Sequence, residues 1–386
     1  MCSARQNRLR AASGAAMTRR AFILGAGASR ECQSRRARFR SPLSRDFFSL
    51  LEHVHGKDPT AIRVANIEIY VMETRGSYGD ENGPFVAEIE AFMTEVEEKC
   101  QAGGGFGNSA WLSAKSARDE LAEALPLALA RVQRGPTCRH YQQLAAMLGP
   151  DDAVITLNWD TQLDRALYET NRWFVDDGYK TSFIKILENG WRDPDPVKQS
   201  AIAYFKLHGS LNWLLNWMTY DENGRLTITV ADDQEPPRPL CFVGGATPYD
   251  TWDDGQRVST VPFSFPYFPR HPLDGTPTMS ALILPVQRKV YDAFDDFLKP
   301  IWTGAEQALK EAHEWVIAGY SFPATDEQVV ELMRRSYSPN KEVWIIDPFP
   351  RRQDLAKRFA RVVAQDAQIR APKIGFAKWL DVVSGL

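Results

Sequence analysis

Short runs of apolar or β-branched residues recur along this 386-residue chain, and most are followed by a polar loop and then by residues with helical periodicity. Runs that are apolar throughout, rather than alternating, are typical of strands covered on both faces, as in a parallel sheet. Strands that alternate with helices indicate right-handed βαβ units. The sequence therefore predicts an α/β fold, with a Rossmann-like parallel sheet and helices on both of its faces. The predicted strands are 21–24, 153–157, 202–207, 281–284, 315–318 and 343–346, and the predicted helices are 161–169, 288–298, 302–313, 326–336 and 352–363.

Two long stretches interrupt this alternation. Residues 60–147 show helical spacing of leucines and predict a helical insertion between the first two strands. Residues 215–280 are rich in proline, glycine and aromatic residues and predict an insertion of loops with one peripheral strand at 225–230. The prolines of segment 261–269 exclude a central strand there, so that segment is either a lid over a site or a loop packed on the core.

Charge and cysteine content exclude several classes of protein. With 46 basic and 49 acidic residues the net charge is −3, which argues against nucleic-acid binding through overall charge. No apolar run approaches the roughly 20 residues that span a bilayer. The five cysteines form no CxxC pair, whereas a structural zinc ribbon needs two close pairs, so neither a ribbon nor another metal site is expected. Scattered thiols without a signal peptide predict a reducing, cytoplasmic location.

The amino-terminal region is the exception to the near-neutral charge. Residues 1–45 carry eleven arginines and one acidic residue, Glu31, so the remainder of the chain is net acidic. We predict a basic, disordered tail over residues 1–16, with Met17 as an alternative start, followed by one folded domain over 17–386. The arginines are either solvated tail and loop residues or a basic wall beside a phosphate or an acidic partner.

The first predicted strand runs directly into a turn of small residues, Gly25-Ala26-Gly27-Ala28-Ser29. Glycines permit a close approach of the backbone, and a helix that begins here would offer free N–H groups to a pyrophosphate. A dehydrogenase fingerprint has a third glycine where this chain has Arg30. The pattern is therefore that of a phosphate turn or, without a ligand, of a tight strand-to-helix connection.

Polar side chains follow the next two predicted strands. Asn158 and Asp160 come after strand 153–157, and Asp160 could also cap the helix that follows. His208 ends strand 202–207, and histidine is the side chain best suited to move a proton near neutral pH. Ligands of open α/β sheets bind off the carboxyl ends of strands, so these residues are candidates for one site.

Two later strands end in the same way. Gly319 and Ser321 lie in a turn before the helix that begins near Asp326, where they could approach a second phosphate or a ribose. Asp347 ends strand 343–346 and could accept a hydrogen bond from a ribose or an adenine. Either turn could equally be an ordinary strand ending with a capped helix start.

The ordered set GAGAS, LNWD, LHG, GYSF and IIDP, which spans Phe22 to Asp347, resembles the sirtuin catalytic core. It is most similar to the bacterial sirtuin-like NAD hydrolases of anti-phage defence. The resemblance implies an NAD-binding catalytic domain with His208 as the catalytic histidine and with Asn158 and Asp160 facing the nicotinamide ribose. It implies a phosphate turn at Gly25, Ala26, Gly27 and Ser29, a second nucleotide turn at Gly319 and Ser321, and an adenosine contact at Asp347.

Two departures from the family change the expected acceptor. Deacylating sirtuins carry a zinc ribbon beside the acyl-peptide groove, and a short loop after the phosphate turn that is replaced here by an arginine-rich stretch containing Phe39-Arg40. Both departures weigh against protein deacylation and favour water. The resemblance thus implies an NAD glycohydrolase that gives nicotinamide and ADP-ribose or its cyclic isomer, without a metal. It also implies a homo-oligomer or a partner such as an ATPase, an Argonaute-type protein or a phage-encoded activator. The alternatives are an NAD or ADP-ribose sensor without turnover, an NAD-dependent deacylase and, less favoured by the charge, a nucleic-acid-processing protein.

Overall fold

The computed structural model describes residues 19–31, 40–55, 64–77, 87–105, 107–133, 135–228, 239–245, 263–264, 268–269, 271, 275–286, 289, 295–348 and 354–385. The predicted tail over 1–16, Phe39 and most of segment 261–269 lie outside these residues. Within them, the predicted α/β class is confirmed. The fold and the contacts are those of this described part of the chain.

A six-stranded, entirely parallel sheet forms the centre of the molecule. Its strands are β1 (Arg20–Leu24), β2 (Ala153–Thr156), β5 (Ala203–Lys206), β13 (Glu314–Ala318), β14 (Glu342–Ile346) and β15 (Gln368–Arg370). They lie in the order β15-β14-β13-β1-β2-β5. The central strands are nearly continuous apolar runs with buried side chains, because helices flank the sheet. Helices associated with this sheet are α1 (Ala26–Glu31), α6 (Arg139–Met147), α7 (Gln162–Tyr168), α8 (Asp295–Glu311), α9 (Glu327–Ser336), α10 (Leu355–Val362) and α11 (Phe376–Ser384).

A helical unit separates β1 from β2, as the insertion at 60–147 predicted. Its helices are α2 (Phe47–His55), α3 (Ala65–Arg75), α4 (Ile89–Gln101) and α5 (Ser109–Val132). They enclose a core of their own around Phe48, Tyr70 and Phe92, whose rings meet edge to face. The unit begins earlier than predicted, at α2, and the last helix of the predicted stretch, α6, packs on the main core instead.

A second sheet, which the sequence analysis did not predict, has five strands and is mostly antiparallel. Its strands are β3 (Lys185–Leu187), β4 (Trp191–Arg192), β6 (Gly209–Asn216), β9 (Leu240–Phe242) and β12 (Thr278–Leu282), in the order β12-β6-β9-β3-β4. The predicted strand 281–284 is therefore wrong as a member of the parallel sheet, since β12 pairs antiparallel with β6. Two small hairpins complete the strands: β7 (Met218–Tyr220) with β8 (Leu226–Ile228), and β10 (Phe263–Ser264) with β11 (Phe268–Pro269).

The predicted peripheral strand at 225–230 corresponds to β8, and segment 261–269 supplies an isolated two-stranded pair rather than a strand of either main sheet. The second sheet lies between the two large cores. Leu211 and Leu282 contribute to the helical unit's core, while Trp213 and Ala281 contribute to the main core. The second sheet therefore contributes side chains to both cores.

Candidate functional site

The carboxyl ends of five parallel strands bring the predicted site residues to one edge of the sheet. The residues that follow β1, β2, β5, β13 and β14 are respectively Gly25, Leu157, Leu207, Gly319 and Asp347. Adjacent ends are joined by backbone hydrogen bonds, from Leu157 to Leu24 at 3.0 Å and from Leu207 to Thr156 at 3.0 Å. This edge is where open α/β sheets bind ligands.

The phosphate turn and the second nucleotide turn pack directly on each other. The Gly25 and Gly27 amides donate to the carbonyls of Ala318 and Gly319, both at 3.0 Å. Gly319 has φ +65°, and a Cβ there would lie 2.0 Å from the Ala28 nitrogen. A Cβ on Gly25 would lie 2.5 Å from the Gly319 oxygen. The glycines are therefore required by backbone packing, and the Gly25 and Gly27 amides are already engaged within the protein.

The surface of this turn is formed by Ala26, which is exposed, and by Gly27, which is half-buried. Ser29 lies one turn further along α1 and is buried. Its Oγ lies 2.8 Å from the Tyr141 hydroxyl and accepts from Asn158 Nδ2 at 2.9 Å. It also hydrogen bonds to the Asp160 carboxylate. Ser29 therefore connects the phosphate turn with the Asn158–Asp160 loop.

Asn158 and Asp160 are held at the rim by complementary contacts. Asn158 Nδ2 also donates to the Gly25 carbonyl at 3.0 Å, so its amide spans β1 and β2. Asp160 Oδ1 accepts from the Gln162 amide at 3.1 Å, but the N-cap position of helix α7 is occupied by Thr161 and not by Asp160. Burial raises the pKa of the Asp160 carboxyl, opposed by the Lys206 ammonium and the Ser29 hydrogen bond. The two residues are thus close to Ser29 and remain half-buried.

Beneath Asp160 lies a buried ion pair that the sequence analysis missed. Lys206 Nζ donates to the Asp160 carbonyl at 2.6 Å and lies 3.1 Å from Asp164 Oδ2. Asp164 also accepts from the hydroxyls of Tyr179 and Tyr204. A lysine inside an otherwise apolar strand, with an aspartate four residues after Asp160, is the signal that could have indicated this pair.

His208 lies directly after Leu207 at the end of β5 and is 5% exposed. Its imidazole hydrogen bonds to the backbone of Leu157, which lies next to Asn158, and its Nε2 faces Asp326 Oδ1 at 3.7 Å. Burial lowers the pKa of His208 well below its usual value, and the nearby Lys289 ammonium lowers it further. The imidazole is therefore neutral near pH 7, the form that accepts a proton.

Asp326 is a second residue beside this edge that the sequence analysis did not select as a site residue. It was interpreted as the start of helix α9, and it does occupy that position, but its side chain makes no capping hydrogen bond. Its carboxylate instead forms an ion pair with Lys289, and both side chains are nearly inaccessible, at 5% and 6%. The sequence signal is an acidic residue five positions after Ser321.

The structure places Ser321 and Asp347 further along the same edge. The Ser321 carbonyl accepts from Arg358 at 2.7 Å, which fixes the backbone of the second turn. Asp347 is half-buried. Burial raises the pKa of the Glu31 carboxyl, and the nearby Asp347 carboxylate raises it further. The structure gives the positions and the contacts of the ten site residues. The roles that the resemblance implies for them stay predictions.

Features outside this edge bear on the remaining expectations. Among the described residues, no group of three or more metal-ligating side chains is found, and Cys100, Cys138 and Cys241 are buried separately. The described helices include none that is long and apolar enough to cross a membrane. Of the amino-terminal arginines, Arg20 pairs with Asp152 and Arg30 with Asp46, which are structural contacts.

No protein-family model and no curated protein sequence matches this chain. Solved structures with similarity to it include a point mutant of a Sir2 homologue in complex with ADP-ribose, with 12% identity, a TM-score of 0.34 and coverage of 96% of this chain and 92% of that one. A complex of Sir2 with a p53 peptide and NAD+ shows 12% identity, a TM-score of 0.37 and coverage of 95% and 92%. A structure on the basis of sirtuin substrate affinity also shows 12% identity and a TM-score of 0.37, over 98% and 97%. Residue roles in this chain therefore have to be argued from its own geometry.

Proposed function

We propose that this protein binds NAD across the carboxyl edge of the parallel sheet and cleaves the bond between nicotinamide and ribose, with water as the acceptor. The observation that carries this proposal is the convergence of Ser29, Asn158, Asp160 and His208 at the ends of β1, β2 and β5. They are linked through the 2.9 Å contact of Asn158 with Ser29 and through the hydrogen bond of His208 to Leu157. An acid, an amide and an imidazole at one rim suit the cleavage of an N-glycosidic bond.

The chemistry requires three contributions from these side chains. As the bond from the anomeric carbon to nicotinamide breaks, its electron pair leaves with the nicotinamide nitrogen and an oxocarbenium-like sugar forms. The Asp160 carboxylate would stabilise that positive charge and orient the ribose. Asn158 would hold the ribose or the attacking water. Ala26 and Gly27 would face the pyrophosphate, and the buried Ser29 would hold this turn against the Asn158–Asp160 loop.

His208 would complete the reaction as a general base. Water adds to the anomeric carbon, and its proton passes to His208 directly or through a ribose hydroxyl. Because burial keeps the imidazole neutral, it can accept that proton at neutral pH, and such assistance is typically worth about 10²–10⁴-fold. The products are nicotinamide, ADP-ribose and a proton, or cyclic ADP-ribose when an adenine ring nitrogen captures the sugar first.

The test incubates the purified protein with NAD, with and without candidate activators, and identifies the products by chromatography and mass spectrometry. We expect nicotinamide and ADP-ribose or its cyclic isomer from the wild type, and nearly complete loss in His208→Ala and Asn158→Ala. His313→Ala is the matched control, because His313 is exposed at the amino end of β13, opposite the site. Wild-type rates in both site variants would contradict the assignment.

Two other outcomes identify the competing functions. Binding of NAD or ADP-ribose by calorimetry, without release of nicotinamide under any condition, would indicate a sensor. Release that requires an acetylated peptide, with transfer of the acetyl group, would indicate a deacylase. Both functions would use the same edge of the sheet, so product identity separates them where binding alone does not.

The resemblance also supports a cellular role, which we include in the proposal: depletion of NAD in the cytoplasm during anti-phage abortive infection. A protein that drains NAD has to be silent until it is triggered. We therefore expect low activity from the isolated chain and activation by self-assembly or by an ATPase, an Argonaute-type protein or a phage protein. Full-speed hydrolysis by a purified monomer would contradict this part of the proposal.

A further inference from the structure

Beside His208 lies a buried pair of opposite charges to which the proposed function gives no role. Asp326 Oδ1 is 3.7 Å from His208 Nε2, and the same oxygen is bonded to the Lys289 ammonium. The three side chains come from different parts of the chain: the end of β5, the turn before α9 and the segment after β12. All three are 5 to 6% exposed, so solvent screens their interactions poorly.

The orientation of the imidazole directs Nε2 toward this pair. The imidazole hydrogen bonds to the Leu157 backbone, while Nε2 lies on the side of Asp326. A second backbone contact, from the Ile283 amide to the His208 carbonyl at 2.9 Å, fixes the residue from the side of β12. A proton arriving at Nε2 would therefore form an imidazolium directly opposite a carboxylate.

Asp326 directs its carboxylate to Lys289 and not to the helix that follows it. A residue that begins a helix usually turns its carboxylate back onto the first amides, and Asp326 does not. Charged side chains that are this inaccessible are costly unless they are paired. The carboxylate is instead directed inward, where it contacts both a lysine and the histidine.

We propose that Asp326 and Lys289 together set proton acceptance at His208 Nε2, with Asp326 as a positioning residue that stabilises the imidazolium and Lys289 as the opposing charge that limits it. The role in catalysis rests on the proposed function, in which His208 is the base. When water attacks the sugar, its proton binds Nε2 and no group besides His208 changes protonation. The carboxylate attracts that proton, while the ammonium at the same oxygen weakens the attraction.

Among the described residues, charged groups act on His208 from two elements packed against it. Asp326 faces it from the turn before α9, and Lys289 faces it from the segment after β12. Glu90 of α4 acts on Lys289 and accepts a hydrogen bond from Thr325 Oγ1 at 3.1 Å, so it belongs to the same surroundings. The contact at the end of β2 is with the uncharged backbone of Leu157.

The test titrates the imidazole directly by nuclear magnetic resonance of the full chain labelled at histidine, with the His208 signal assigned from His208→Ala. In the wild type we expect His208 to stay neutral across the range in which the protein is folded. Lys289→Met leaves the carboxylate facing Nε2 and should raise the His208 pKa by at least about one unit, since a charge at this separation shifts a pKa by roughly 1–3 units. Lys289→Met/Asp326→Asn removes both charges and should cancel that rise.

Lys341→Met is the matched control. Lys341 is another buried lysine, but its ammonium caps the carbonyls of Lys310 and Ala312 at the end of α8, away from this edge. It should leave the His208 titration unchanged. Equal titration of His208 in Lys289→Met and in the double variant, or no rise in Lys289→Met, would overturn the proposal. These outcomes are judged only in variants that are folded. The signals of the other histidines report this when they match those of the wild type.

The activity measurement then separates the two proposals. In a wild type that cleaves NAD, the acid limb of kcat/KM should move up in pH in Lys289→Met and return in the double variant. Titration shifts of the expected sign in a protein that never releases nicotinamide would leave the pair established and reject the NAD hydrolase. Loss of activity in His208→Ala without the titration shifts would support the NAD hydrolase and reject the proposed role of Asp326 and Lys289.

Discussion

Lys206 and Asp164 form an ion pair in which neither side chain is accessible to solvent. The ammonium also donates to the Asp160 carbonyl, so the pair holds the Asn158–Asp160 loop from below. Lys206→Met leaves the Asp164 carboxylate buried without its counter-charge, and we expect a loss of about 3–5 kcal/mol in the free energy of unfolding, measured with denaturant. The double variant Lys206→Met/Asp164→Asn replaces both charged side chains with uncharged ones of similar size. It should recover a large part of the lost unfolding free energy. A single variant as stable as the wild type would contradict this account.

Gly319→Ala should destabilise the protein through a clash as well as through backbone strain. Gly319 has φ +65°, and its added Cβ would meet the Ala28 nitrogen at 2.0 Å. Gly76→Ala is the matched control, because Gly76 has φ +80° but open space around the position of a Cβ. The control reports the strain alone, about 1–3 kcal/mol, and Gly319→Ala should exceed it in denaturant unfolding. Equal effects would show that the two turns can separate without cost.

Asp160→Asn should make the folded protein more stable at neutral pH and less active. Burial raises the pKa of Asp160, so the folded state binds the proton more tightly than the unfolded state does. Protonated Asp160 therefore favours the folded state at low pH. This contribution is lost as the pH rises from the pKa that Asp160 has in the unfolded state to the higher pKa that it has in the folded state. At pH 7 the variant should therefore be more stable than the wild type, and this gain should vanish at acid pH. Thermal unfolding across pH checks the sign, and a variant less stable at pH 7 would contradict it.

Ser29→Ala should uncouple the phosphate turn from the Asn158–Asp160 loop. The substitution removes the oxygen that contacts Tyr141, Asn158 and Asp160, leaving buried polar atoms without that partner. We expect a loss of about 1–3 kcal/mol in unfolding free energy together with weaker NAD binding by calorimetry. Tyr141→Phe removes one of the three contacts and should cost less in both measurements. A Tyr141→Phe variant that is as impaired as Ser29→Ala would place the important contact on the tyrosine.

The parallel sheet could be predicted from sequence because strands covered on both faces are continuous apolar runs. Ala21–Leu24 and Trp315–Ala318 match β1 and β13 to within one residue. The second sheet was missed for the same physical reason. All eight residues of β6, including Ser210, Asn212 and Asn216, are buried, so the strand shows no alternation of polar and apolar residues. β12 was assigned to the wrong sheet because an apolar run alone does not reveal the partner strand.

The site shows the same division between local pattern and tertiary contact. Asn158, Asp160 and His208 could be selected because each lies within three residues of the end of a predicted strand, and parallel strands end at a common edge. Lys206 and Asp326 could not, because their roles depend on partners distant in sequence. Asp326 in particular is 37 residues from Lys289 and has the position of an ordinary helix start.

The close contact of Gly25, Gly27 and Gly319 restricts how this protein can diversify. A side chain at any of these three positions would clash with backbone atoms, so main-chain atoms form this part of the edge. Under the proposed function, a change of nucleotide preference would have to arise at neighbouring positions on the same edge whose side chains are at least partly exposed, such as Ala26, Ser321 and Asp347.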